Sequence, residues 1–155
     1  MKRLLPFALL AFSLLVAALL TTSHSSSASA NTTLAPVYEH NADARFFGNP
    51  NHKDGDRIEF ANPVYDATNQ KVIGSSDGEC VYDSSTIFQC DWTLMLPNGN
   101  IVLSGAQNAQ QSHTVYAIVG GTGAYSQIKG DAVLTSTGDI TNGEAIQYKY
   151  TFHLS

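Results

Sequence analysis

Few residues of this chain could do chemistry, and most of them stand alone. Cys80 and Cys90 could form a disulfide or stay as two separate buried thiols. His24, His40, His52, His113 and His153 are scattered without ligand spacing, so no metal is expected. Serines and histidines are both present, but no motif relates them as nucleophile and base. No nucleotide-binding loop is visible. What remains is a pair of short polar patterns: Glu39 with Asn41, and Phe60 with Asn62. In extended chain, residues two apart share a face. Each pair therefore presents its members to one side. The residues alone leave two uses open for each. Glu39 is a pocket carboxylate or a solvated strand residue. Asn62 is a pocket donor or shapes a turn before Pro63. Phe60 is core or ligand wall.

The elements that must position these residues are short. After the first thirty residues no helical period is visible. Alternating or β-branched runs recur instead, broken by Gly, Asn, Asp and Pro. The pattern predicts strands over 34–41, 56–65, 71–82, 87–96, 100–107, 113–119, 129–137 and 145–154. Pro63 suggests a bend, and Gly74 and Gly78 suggest bends or bulges. Asp83-Ser84-Ser85-Thr86, Pro97-Asn98-Gly99 and Asn142-Gly143 read as turns. Gly120 to Gly123 reads as a corner where several residues need positive φ. Residues 41–54 read as a loop over one end. Eight strands with hairpin connections fit an all-β, up-and-down antiparallel barrel, which can hold one small ligand. A two-sheet sandwich fits the same pattern. Cys80 and Cys90 are symmetric about Ser85, so a hairpin there sets them opposite each other, given some local twist.

The 155 residues suggest one domain. Lys2-Arg3, an apolar run from Leu4 to Leu20, and Ser27-Ala28-Ser29-Ala30 are the parts of a secretory signal. The expected organisation is a signal peptide over 1–30 and a β-barrel domain over 31–155. The protein is expected to be extracellular or periplasmic, without stable membrane association after cleavage. Export makes the Cys80–Cys90 disulfide chemically available, at roughly 2–3 kcal/mol for so short a loop. Beyond residue 30, six basic residues face thirteen acidic ones. Such a chain lacks the basic footprint of a nucleic-acid binder. Asn31-Thr32-Thr33 is a sequon if the source glycosylates. Trp92, Tyr116 and Tyr148 read as packing residues.

Several segments together resemble the allene oxide cyclase family and its dirigent relatives. They are Val37-Tyr38-Glu39-His40-Asn41, the run from Gly55 to Tyr65, Gly78-Glu79-Cys80, the corner from Val119 to Tyr125, and the closing Tyr150-Thr151-Phe152-His153-Leu154. The resemblance runs from Val37 to Leu154 and implies the barrel over the sandwich. It implies an apolar small-molecule ligand, no cofactor, and a dimer or trimer formed through outer barrel faces. The family opens an unstable fatty-acid epoxide and closes a cyclopentenone ring. On that pattern Glu39, Asn41 and Asn62 are the expected catalytic residues. Glu39 supplies a carboxylate against developing positive charge, and the two asparagines hold a water. Phe60, Cys80, Ile87 and Gln107 are the expected ligand-binding residues. The pattern departs from the family in places. Gln107 stands where the family has a pocket tyrosine, Pro50 lies in a loop of different length from the one that holds the family's pocket proline, and an oxidised Cys80 is not a free pocket thiol. The alternatives to a cyclase are a dirigent-like binder without turnover and a purely structural extracellular barrel.

Overall fold

Alternating runs closed by Gly, Asn and Asp become antiparallel strands that wrap into a barrel. The computed structural model describes residues 34–49, 54–137 and 146–155. The expected signal peptide, the sequon at Asn31, Pro50, His52 and the Asn142-Gly143 turn lie outside the described residues. The strands are β1 (Val37–His40), β2 (Ala44–Phe47), β3 (Arg57–Tyr65), β4 (Val72–Tyr82), β5 (Ile87–Leu96), β6 (Gly99–Asn108), β7 (His113–Gly121), β8 (Gly130–Thr137) and β9 (Gln147–Leu154). Among the described residues a single 3₁₀ turn covers Gly123–Tyr125.

From β3 to β9 each strand pairs with the next, and β1 pairs with both β9 and β3. That closes an eight-stranded antiparallel barrel of β1 and β3–β9. Closure leaves no open edge along the barrel wall. The seam between β1 and β3 is short, with Tyr38 opposite Tyr65 and Glu39 opposite Val64. It is tied from outside by Asn69, whose Oδ1 lies 2.7 Å from His40 Nε2 and whose Nδ2 donates to Gln147 Oε1 at 2.9 Å. Asn69 sits at φ 58°, a left-handed position that asparagine tolerates.

The extra strand, β2, corrects the expectation of a loop over 41–54. Ala44-Arg45-Phe46-Phe47 are all exposed and carry no alternation, so their periodicity does not mark a strand. The ladder with β3 makes it one, with Ala44 opposite Phe60 and Phe47 opposite Arg57. β1 and β2 run along the same neighbour but out of register by one residue. Asn41, Ala42 and Asp43 take up the slack as a bulge. Asn62 Oδ1 accepts the freed N–H of Ala42 at 2.8 Å and of Asp43 at 3.2 Å.

Two glycine expectations change. The register shift between β3 and β4 falls between Val64 and Tyr65, beside Gly74, whereas Gly78 pairs regularly with Trp92. At the corner, only Gly123 takes a positive φ, of 59°, while Gly120 and Gly121 continue β7.

Inward residues follow the two-residue period. One end of the lumen is solid. Val64, Leu94, Ile101 and Leu103 are fully buried there, with Val37, Leu96 and Phe152 around them. The other end, ringed by the β1–β2 break and the β4–β5 and β6–β7 turns, is where the lumen opens.

Candidate functional site

A cavity of about 180 Å³ occupies the open end. Its wall comes from the parts of β1, β2, β3, β4, β5, β6, β8 and β9 nearest that end. Glu39, Asn41, Phe60, Asn62, Cys80 and Gln107, expected from the resemblance, all line it. Ile87 does not. It lies on the outer face, 40 % exposed, and Phe88 turns inward in its place. The physical reason is the strand period. Cys90 and Trp92 point inward, so the even-numbered residues of β5 do so.

Glu39 is the chemical centre. It is 2 % exposed. Asn62 Nδ2 donates to its Oε1 at 2.7 Å, and the Tyr150 hydroxyl donates to its Oε2 at 2.5 Å. Burial pushes the Glu39 carboxyl above the ordinary carboxylate value, while Tyr150, Asn62 and Ser76 pull it back. Ser76 Oγ is itself buried and, among the described residues, makes no hydrogen bond of good geometry, though it lies near enough to help hold the Glu39 value down. Around Glu39 the tyrosines hold their protons more tightly than usual. Tyr150 is raised by burial and then by Glu39. Tyr148 is raised by the same two causes, and Tyr116 by burial, then Tyr148 and Glu39.

The amide of Asn62 is oriented by its network. Its oxygen holds the β1–β2 bulge and its nitrogen holds Glu39, leaving one N–H uncommitted among the described residues. Asn41 stands at the exposed rim, its backbone N–H bonded to Ile146 O at 3.0 Å. The two asparagines therefore occupy different places, one inside and one at the mouth. Gln107 Oε1 accepts from the Tyr116 hydroxyl, and its amide nitrogen has no hydrogen-bond partner among the described residues.

Cys80 and Cys90 face each other in the β4–β5 register and are joined by a disulfide, with Cα atoms 4.0 Å apart. Cys80 thus enters the wall as half of a disulfide and not as a thiol. Its burial in a covalent cross-strand pair fits an oxidising compartment.

Four lining aromatics were not expected as site residues. They are Phe88, Trp92, Tyr148 and Tyr150. Alternation along β9 places Tyr148 and Tyr150 on the inward face with Phe152, but nothing local marks them as lining a hollow. Trp92 packs edge-on against Phe60 at 5.8 Å, Tyr116 at 4.3 Å and Tyr150 at 6.2 Å. A larger hollow of about 590 Å³ lies on the outer wall, lined by Glu59, Asp77, Glu79 and Asp91 among others. It is an open charged groove. Two of its carboxylates, Glu59 and Glu79, pair with Arg57 at 2.9 Å and 3.6 Å.

No protein-family profile and no curated protein matches the chain. Solved structures do. A pterocarpan synthase dirigent protein, GePTS1, is similar with a TM-score of 0.66 and 19 % identity, over 88 % of this chain and 98 % of that one. Pyocyanin demethylase is similar with a TM-score of 0.63 and 21 % identity, over 76 % and 98 %. AbnU, an exo-specific intermolecular Diels-Alderase, gives 0.57 and 14 %, over 75 % and 91 %. At such identities the likeness is one of fold. The chain has the barrel of the dirigent and Diels-Alderase structures, related to the allene oxide cyclase and dirigent-like fold.

Proposed function

We propose that this barrel takes one compact, largely apolar small molecule into the open end of its lumen and holds it against Glu39. One observation carries the reading: a carboxylate 2 % exposed in the wall of an aromatic-lined cavity. A purely structural barrel gains nothing from it, because an ionised group taken out of water without a counter-charge costs several kcal/mol. The neighbours support small-molecule work in this fold, since they include a pterocarpan synthase, a pyocyanin demethylase and a Diels-Alderase.

The cavity's size narrows the guest. About 180 Å³ is below the usual 300–1,000 Å³ of ligand pockets. A compact ring system fits, while a long acyl chain must leave its tail in the mouth. In the catalytic version, the protein is an intramolecular cyclase or isomerase of the allene oxide cyclase type. The lumen excludes water from a reactive substrate and fixes one folded shape. Glu39 faces positive charge that develops as a bond opens, and Asn62 and Tyr150 keep the carboxylate in place. An exported protein is consistent with the disulfide. A dimer or trimer has its best support on the outer face of β7, where Val115 and Val119 are 56 % and 59 % exposed.

An assay with freshly generated allene oxide, read by chiral chromatography, tests turnover. Wild-type protein should give an enantiomeric excess that Glu39→Gln loses. A racemic product equal to the no-protein control would reject the activity. A binder without turnover is favoured by one observation, namely that both Glu39 oxygens are already occupied by Asn62 and Tyr150. In that case the product stays racemic, while aromatic guests still change the fluorescence of Trp92, the single tryptophan.

A further inference from the structure

We infer that the guest for this cavity carries a positive charge delocalised over an aromatic ring: it is a compact organic cation. This rests on the reading that the cavity takes a small molecule, and it adds that molecule's charge.

The first ground is a missing counter-charge. Among the described residues no lysine, arginine or histidine lines the cavity, yet Glu39 lies in its wall. Its two hydrogen bonds come from neutral groups, an amide and a phenol. Those bonds orient the carboxylate without neutralising it. A glutamine could take the same place without the cost of ionisation, so the charge calls for another explanation.

The second ground is the rest of the wall. Phe60, Phe88, Trp92, Tyr148 and Tyr150 line the same space. Trp92 stands at 72° to Phe60 and 76° to Tyr150. These three rings therefore stand at steep angles to one another instead of stacking into one slab, and all of them border the hollow. Ring faces carry negative electrostatic potential, and cages of such faces attract cations, most strongly where water is excluded. A carboxylate and an aromatic cage on one cavity point to the same sign of charge.

Binding a cation would favour the ionised form of Glu39, so affinity should rise with pH. Among the described residues the titratable groups that face Glu39 are Tyr148 and Tyr150 of β9 and Tyr116 of β7, phenols that are neutral from pH 5 to pH 8 and whose pKa values burial raises further. β3 and β4 present Asn62 and Ser76, which do not titrate.

The test compares N-methylquinolinium with 1-methylnaphthalene, which share a ring skeleton and differ in charge. Affinities are measured by calorimetry on the full chain from pH 5 to pH 8. The ratio of affinities, cation over hydrocarbon, should exceed one at pH 8 and fall about tenfold by pH 5, a loss that one ionised partner can account for. In Glu39→Gln the ratio should be low and flat. A flat ratio in wild type, or tighter binding of the hydrocarbon at pH 8, overturns the inference. Should Glu39→Gln fail to fold, the wild-type pH profile decides alone. Hydrocarbon binding without cation preference removes only the charge assignment. Binding of neither compound removes the small-molecule reading as well.

Discussion

At the scale of single residues, Glu39 and Asn62 form one device. Asn62 spends its oxygen on the bulge where β1 gives way to β2, and its nitrogen on the carboxylate. A change in the backbone break is thereby transmitted to Glu39 through a single side chain. The cost of burying Glu39 should be visible in stability. Its folded pKa lies above the ordinary value of about 4.5, chiefly through burial. Below that value both folded and unfolded chains hold the proton and nothing is lost. As pH rises from 4.5 through the folded pKa, the unfolded chain releases its proton first, so the folded state loses stability. Urea midpoints from pH 4 to pH 8 should show Glu39→Gln gaining on wild type as pH rises. Parallel pH profiles would sink this account. The two-residue spacing of Glu39 with Asn41 and of Phe60 with Asn62 was legible in the chain. The double duty of Asn62 was not, because the bulge depends on how β1 and β2 share β3. Ile87 shows the other limit: a one-position error on a strand moves a side chain to the opposite face.

Among the elements, β4 and β5 set the geometry of the wall. Their register brings Cys80 opposite Cys90 and Gly78 opposite Trp92. The symmetry of the cysteines about Ser85 made the first pairing legible, and the strand limits expected for β5 match those found. Gly78 does not form the bulge that its position suggests, since it pairs regularly with Trp92. Its role is close approach. A Cβ on residue 78 would stand 2.2 Å from Trp92 Cβ and 2.5 Å from Asp91 O. Neither is the tip of a flexible side chain, so the strands must move apart and carry Trp92 with them. Gly78→Ala should cost about 1–3 kcal/mol, the range for overpacking. Gly120→Ala is the matched control, since nothing lies within 4 Å of its Cβ position. It should stay within about 0.5 kcal/mol of wild type. Chemical denaturation of both variants checks this, and equal losses would show that the Gly78 contact relaxes freely. β2 was not legible for a different reason. Its residues are uniformly exposed, and only a neighbouring edge makes them a strand.

For the molecule as a whole, the lumen divides into a solid half that stabilises the fold and a hollow half that is free for function. Alternation along the strands told which side chains point inward, and hence most of the barrel. It could not tell where those side chains fail to fill the space, because filling depends on the summed volumes from eight strands. The division should appear in paired truncations. Leu103 is fully buried in the solid half, where removing its side chain leaves a new void. Leu103→Ala should cost about 2–5 kcal/mol. Phe88 loses more volume on truncation, but it is only partly buried and already borders the cavity. Phe88→Ala enlarges an existing hollow and gives up fewer contacts, so its cost should be less than half as large. Binding should divide the other way. Phe88→Ala should weaken the response of Trp92 fluorescence to an aromatic guest far more than Leu103→Ala does, under conditions where the protein is folded. Equal destabilisation by the two, together with equal loss of binding, would mean that the barrel interior behaves as one continuous core.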